Sequence, residues 1–276
     1  MNRIRRRHDG AWTRRFVMGV RTCAALAAAS ISLLTSGRAF AQTDEIQVYD
    51  GELADRGVLN LTLHNNYTPS GIAAPAFPGA VVADRSWNGV PEWAYGVSRW
   101  FEAGLYLPLY TLDKYQGWGL DGFKLRTLFA VPDAAERAFL YGCNFEFSFN
   151  AKRWDPTRFT SEIRPIVGWH LKRIDIIINP IFDTAYDGLG NLEFVPSARV
   201  AYRAFGNGAI ALEEYADFGP LKNFLPIDEQ VHQLYGVVDG RLGTVAIEFG
   251  VGVGLTDASD ALTLKLILSS DLYRRR

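Results

Sequence analysis

The residues best able to do chemistry are few and far apart. Beyond residue 42 the chain has three histidines, His64, His170 and His232, each in a different segment. A hydrolase would need a serine held beside a histidine and a polar group to orient it. No serine stands at such a spacing from His170, the histidine that follows Trp169 near a turn. HExxH, GxSxG, a glycine-rich phosphate loop and paired Cys/His spacing are all missing from the sequence. Asp257 and Asp260, in LTDASD, read as a solvated turn with Asx-type bonds more simply than as a cation site. Glu213, Glu214 and Asp217 form an acidic cluster before the turn Asp217-Phe218-Gly219-Pro220, and such a cluster could meet a cationic solute or divalent ions. No catalytic residue, metal or cofactor is expected.

The elements that carry these residues are strands. In FLYGCNFEFSFNAKRW (139–154), Tyr141, Cys143, Phe145, Phe147 and Phe149 alternate with Gly142, Asn144, Glu146, Ser148 and Asn150. A period of two puts an apolar, aromatic face opposite a polar, charged one. The same unit recurs from 58–68 to the segment around Leu262, Leu264, Leu266 and Leu268. About twelve such segments follow one another, most of about ten residues, the length that crosses a bilayer when tilted. No amphipathic helix interrupts them. The segments 209–216 and 230–239 are less regular, and a bulge near Glu213 and Glu214 would explain the first. Short connections (99–101, 132–137, 171–173, 206–208, 240–243) alternate with longer ones, of which 69–87, 184–191 and 217–229 are the longest. An even strand number with short turns at one end and long loops at the other is the plan of an outer-membrane barrel.

Residues 1–41 read as a cleaved signal peptide, with an arginine-rich start, the apolar core CAALAAASISLL and Ala39-Phe40-Ala41 before Gln42. Eight of the 29 basic residues and one of the 30 acidic ones lie in it, leaving 21 and 29 and a net charge of −8. An acidic chain offers no footprint for nucleic acid. Cys143 alone remains after cleavage, so no internal disulfide can form.

Two architectures use alternating strands, a soluble sandwich and a membrane barrel. The charges sit on one face at mid-strand: Glu92, Glu102, Lys124, Arg126, Glu146, Glu162, Arg164, Asp175, Glu193, Arg199, Glu248 and Lys265. A sandwich tolerates that, but has no need of aromatic residues at strand ends such as Trp93, Trp100, Phe101, Trp118, Trp154, Phe159, Trp169 and Tyr202. Aromatic girdles at both edges of an apolar band belong to membrane barrels. The charges then face a lumen, where neighbouring strands of opposite sign would pair as a ladder or form a constriction that selects what passes. Gly250, Gly252 and Gly254 leave a stripe of the lumen wall without side chains, which means either close packing or free volume for a solute.

SEIRPIVGWHL (161–171), IIINPIFD (176–183), ALEEYADFGPL (211–221) and EFGVGVGLTDASDALTLKLIL (248–268) resemble the outer-membrane proteins related to the meta-pathway of phenol degradation. The resemblance implies an outer-membrane β-barrel and a channel for small aromatic or hydrophobic compounds. It brings no catalytic motif. The chain departs from the usual aromatic ending of barrel proteins, running Asp271-Leu272-Tyr273 into three arginines.

The expectation is therefore an all-β protein, a closed antiparallel transmembrane β-barrel of about twelve strands over 58–273. A periplasmic lead-in (42–57) precedes it and a basic tail (274–276) follows. The expected setting is the outer membrane of a Gram-negative bacterium, with lipid, lipopolysaccharide, the assembly machinery and a small solute as partners. A non-conducting structural or adhesive barrel is the first rival, and a lipid-modifying barrel enzyme the second.

Overall fold

A computed structural model describes residues 44–206 and 208–274. Residues 1–43, with the expected signal peptide, the last two residues of the tail and Asn207 lie outside them. Fourteen strands form one antiparallel sheet: β1 (Val58–Ser70), β2 (Ser86–Ser98), β3 (Phe101–Asp113), β4 (Gly117–Ala130), β5 (Phe139–Asn150), β6 (Phe159–Leu171), β7 (Ile174–Asn179), β8 (Phe182–Thr184), β9 (Glu193–Phe194), β10 (Ser197–Phe205), β11 (Gly208–Asp217), β12 (Val231–Leu242), β13 (Val245–Gly254) and β14 (Leu262–Arg274). The β1–β14 and β5–β6 pairings close the sheet on itself. β7 with β8, and β9 with β10, are single staves broken at Pro180 and Pro196, where proline has no N–H to give to a ladder. The result is a closed twelve-strand barrel. Closure leaves no sheet edge, which is the condition for strands to cross a bilayer.

The exterior is apolar. Trp87, Leu125, Phe147, Val200 and Leu212 are among its large exposed side chains. Its aromatic residues gather toward the two edges. Phe101 stacks on Phe129 at 4.8 Å and Phe139 meets Trp169 at 5.7 Å at the short-turn end, while Phe123, Phe149 and Phe159 pack together at the long-loop end. This is the pattern of interfacial girdles around a lipid-facing band. The expected bulge at Glu213 and Glu214 is not present. β10 and β11 stay in register from Ser197 opposite Tyr215 to Arg203 opposite Ala209, and the shift falls between Arg203 and Phe205. Glu213 points inward to ions, whereas Glu214 points outward to His232, so a regular strand reads as an irregular one.

The lead-in corrects its expectation more fully. Residues 44–49 are not a periplasmic approach; they lie inside the barrel, with Asp44, Glu45, Ile46, Val48 and Tyr49 all buried. From there the chain runs to the short-turn mouth, where Gly57 N–H donates to the Gly96 carbonyl, and turns back into β1. The barrel keeps two apolar patches on its inner wall for this plug. Val48 and Tyr49 pack on Leu128, Ala134, Leu140, Ile166 and Ile177; Ile46 packs on Ala201, Ala211, Tyr235 and Val237. Each such burial stabilises by about 1.5–3 kcal/mol. At the opposite mouth, residues 80–83 of the β1–β2 loop are buried as a lid. Val81 N–H donates to Arg153 O at 2.9 Å, and Ile72 N–H to Asp260 Oδ1 at 2.8 Å. Asp260 thus serves as an anchor for the lid.

Candidate functional site

The plug is held by ions. Lys124 Nζ donates to Asp44 Oδ1 at 2.9 Å and lies 3.5 Å from Glu146. Arg164 forks onto Glu162 at 2.7 and 2.9 Å and donates to the Gln47 carbonyl at 3.1 Å. Lys265 donates to the Ile46 carbonyl at 3.2 Å. Asn179 clasps the Tyr49 backbone from both sides, accepting its N–H at 2.7 Å and donating to its carbonyl at 2.9 Å. The Tyr49 ring lies between two guanidiniums, 4.4 Å from Arg164 and 5.5 Å from Arg126, where a desolvated cation–π contact is strongest. Its hydroxyl bonds to that of Tyr106.

The expected charge ladder breaks into separate groups. Arg126 binds Glu92 at 2.6 Å and also Glu102, while His64 holds Glu92 from the other side at 3.1 Å. Lys265 joins Glu213 and Glu248, and Arg199 joins Glu213 and Asp239 with Glu248 at 3.5 Å. Lys124 with Glu146 and Arg164 with Glu162 hold the plug as described. Asp175 stands apart. At the short-turn rim it takes His170 Nδ1 at 2.6 Å and Arg203 at 2.6 and 2.9 Å. Glu193 lies opposite Asp183, an acid facing an acid, rather than near Arg199. Strand alternation alone does not supply the register that sets these pairings. Buried ions of this kind cost more in desolvation than isolated pairs return, so each persists because several partners converge on it.

Asp44, Glu45, Tyr49, His64, Asp121, Asp183, Glu213 and Asp239 also belong to this interior. Glu213 had read as part of a loop-side acidic cluster, yet it sits on a strand at the centre of the lysine–arginine group. Asp44 and Tyr49 carry no signal, since the lead-in lacks any alternation. The glycine stripe is packed. A Cβ at Gly252 would collide with the Tyr235 ring, and one at Gly250 would reach Lys265 at 2.8 Å. Gly254 is filled by Ser259 and the Asp260 carbonyl. The room these glycines leave is taken by neighbouring side chains and not by a solute.

Free space does remain beside the lower plug. A cavity of about 390 Å³ runs from Gln47 and Tyr49 past Glu92, Glu102 and Arg126 to Asp50, Glu52, Asp55, Arg241 and Asp271. Among the described residues no cluster of His, Cys, Asp and Glu could hold a metal ion. The His170–Asp175 pair has Arg203 on its carboxylate.

No family model matches the chain, and comparison with curated proteins finds no match. Solved structures do match. An outer membrane channel from Pseudomonas putida F1 superimposes with a TM-score of 0.55 at 12% identity, over 83% of this chain and 100% of that one. The CymD monoaromatic hydrocarbon channel gives 0.44 at 8% identity, over 80% and 90%. LpxR from Salmonella typhimurium gives 0.40 at 7% identity, over 76% and 99%. The first of these shares the fold that the sequence phrases implied: a membrane-spanning β-barrel of the outer-membrane type.

Proposed function

We propose that this chain is an outer-membrane channel of a Gram-negative bacterium, passing a small solute through a lumen divided by its own N-terminal segment. The observation that carries the reading is the plug. It occupies the barrel axis from Asp44 downward, yet leaves a cavity beside it open to the short-turn mouth. A barrel built only as a wall anchor has no reason to keep such a space. Likeness to the P. putida channel supports the fold on which this rests. The resemblance to phenol meta-pathway proteins favours an aromatic or hydrophobic solute. Lipid would meet the girdles, with lipopolysaccharide on the long-loop side, and the assembly machinery would insert the barrel.

The test is conductance in a planar bilayer. The native protein is expected to pass small, discrete currents. A chain lacking residues 44–50 is expected to pass currents several-fold larger, because the plug's cross-section is released. A protein that shifts mobility on boiling, and so is a folded barrel, yet stays silent in both forms would favour the structural or adhesive rival.

A further inference from the structure

The long-loop rim divides by charge. Segments 113–117 and 151–158 carry Lys114, Lys152, Arg153 and Arg158 against Asp113 and Asp155. On the β11–β14 side, segments 217–230 and 255–261 carry one cation, Lys222, against five acids. β4 pairs with both β3 and β5, so the two basic connections stand side by side. Hydrogen bonds lock them together. Ala151 N–H donates to the Asp121 carbonyl at 2.7 Å, and Arg153 donates to Asp121 Oδ1 at 2.7 Å and to the Thr111 carbonyl at 2.9 Å. Gly119 makes room for that crossing, since a Cβ there would collide with the guanidinium. The second loop is also braced within itself. Asn150 donates its N–H to Arg158 O at 2.8 Å and its side-chain amide to Thr157 O at 3.0 Å.

Arg153 is thus spent on Asp121. Lys114, Lys152 and Arg158 are exposed, and among the described residues no carboxylate pairs with any of them. The acids of the two segments bend their own turns instead: Asp113 Oδ1 accepts the Tyr115 and Gln116 N–H groups at 2.6 Å, and Asp155 Oδ1 accepts that of Thr157 at 2.6 Å. The apolar wall beside these cations is the second observation. Arg158 lies over the Phe149 ring at 5.1 Å, and Phe149 packs between Phe123 and Phe159. Those rings belong to the lipid-facing band, so the guanidinium stands at its outer boundary. Lys114 lies 5.6 Å from the Tyr115 ring, on the hairpin that exposes Trp118 and Leu120. An amphiphile with a phosphate head and acyl chains matches both parts at once. Arginine and lysine bind its phosphate oxygens, and the rings and leucine pack its chains.

We propose that this sector of the rim binds a phosphorylated glycolipid of the outer leaflet, a lipopolysaccharide. Lys152 and Arg158 take one lipid A phosphate, Lys114 takes the other, and the acyl chains run down the Phe149 and Phe159 side of the wall. The inference deepens the outer-membrane reading by siting its lipid partner, and rests on it, because only there does the long-loop end meet this lipid. It does not require that the lumen conduct.

The experiment titrates the protein in detergent with bis-phosphorylated lipid A and with lipid A stripped of its phosphates, reading bound lipid by native mass spectrometry. Each preparation is first checked for a mobility shift on boiling. Removing the phosphates is expected to weaken binding by at least about threefold, and so is the double change Lys152→Gln with Arg158→Gln. Lys222→Gln, on the acidic side of the rim, is expected to bind as the native chain does. Equal affinity for the two lipids, an unchanged double variant, or an equal loss in Lys222→Gln overturns the site. Phosphatidylglycerol bound as tightly as lipid A overturns the glycolipid assignment and leaves a general anionic-lipid surface. A protein with no mobility shift overturns the outer-membrane reading, and this inference with it. A barrel silent in planar bilayers that still binds lipid A in this way upholds the site while the channel reading falls.

Discussion

Lys265 carries a positive charge on a side chain with no exposed surface, between Glu213 and Glu248, with Tyr215 and the Ile46 carbonyl completing its shell. Replacing it with methionine keeps the volume and leaves Glu213 and Glu248 to share Arg199, which already holds Asp239. Breaking a buried pair on one side costs about 3–5 kcal/mol. Lys265→Met is therefore expected to lower the temperature at which the unboiled band converts to the unfolded one, and Glu213→Gln in the same chain should recover part of the loss. No loss would mean that water already reaches these acids. Gly252 makes the opposite point about space. A leucine there has to displace the Tyr235 ring from a packed wall, an overpacking cost of about 1–3 kcal/mol. Gly252→Leu should melt earlier in the same assay, whereas an open lumen stripe would have accepted it without cost.

At the scale of elements, the strands were legible and the plug was not, for one physical reason. A stave must satisfy lipid on one side and ions on the other, so its sequence alternates and can be read. Ile46, Val48 and Tyr49 bury into patches contributed by Leu128, Ile166, Tyr235 and others, and no periodicity within the lead-in announces those partners. Register was hidden similarly. The height of Glu162 against Glu146 depends on where turns and broken staves start the count. The plug's hold can be tested apart from its removal. Val48→Asp puts an unpaired carboxylate into an apolar cluster, so the plug should leave while the staves stay folded. Single-channel current is expected to rise toward that of the plug-deleted chain, with an unchanged boiling shift. At the mouth, Glu52 is pushed up to about 7, first by the Asp50 charge and then by burial. It is neutral below that value and adds a negative charge to the vestibule above it. Potassium current should therefore grow as pH rises through about 7, and Glu52→Gln should flatten that step. The sign for stability is reversed: a raised carboxyl favours the folded form while protonated, and that advantage is lost as pH rises from the unfolded carboxylate range through about 7.

For the whole molecule, closure decides where weakness lies. Ten staves are continuous ladders, and their neighbours hold them on both sides over most of their length. The wall at β8 and β9 is different. Three residues pair with β6, two pair across the β8–β9 seam, and the Val195 N–H bonded to the Ile181 carbonyl at 3.0 Å spans the break between the two prolines. Outside this short seam stand Phe182, Phe194, Phe218 and Phe224, a packed aromatic cluster beside the backbone bonds that Phe194 exchanges with Phe218 and Gly219. Local opening follows hydrogen-bond density and buried contact, so these staves should open before the rest. Hydrogen exchange in detergent is expected to be faster at residues 182–184 and 193–195 than in β1 to β5, and Phe194→Ala should speed it further at the seam alone. Uniform protection around the barrel would show that the aromatic cluster seals the break as firmly as a ladder. A change in exchange reaching β1 or β14 would mean that the circle opens as one unit and not stave by stave.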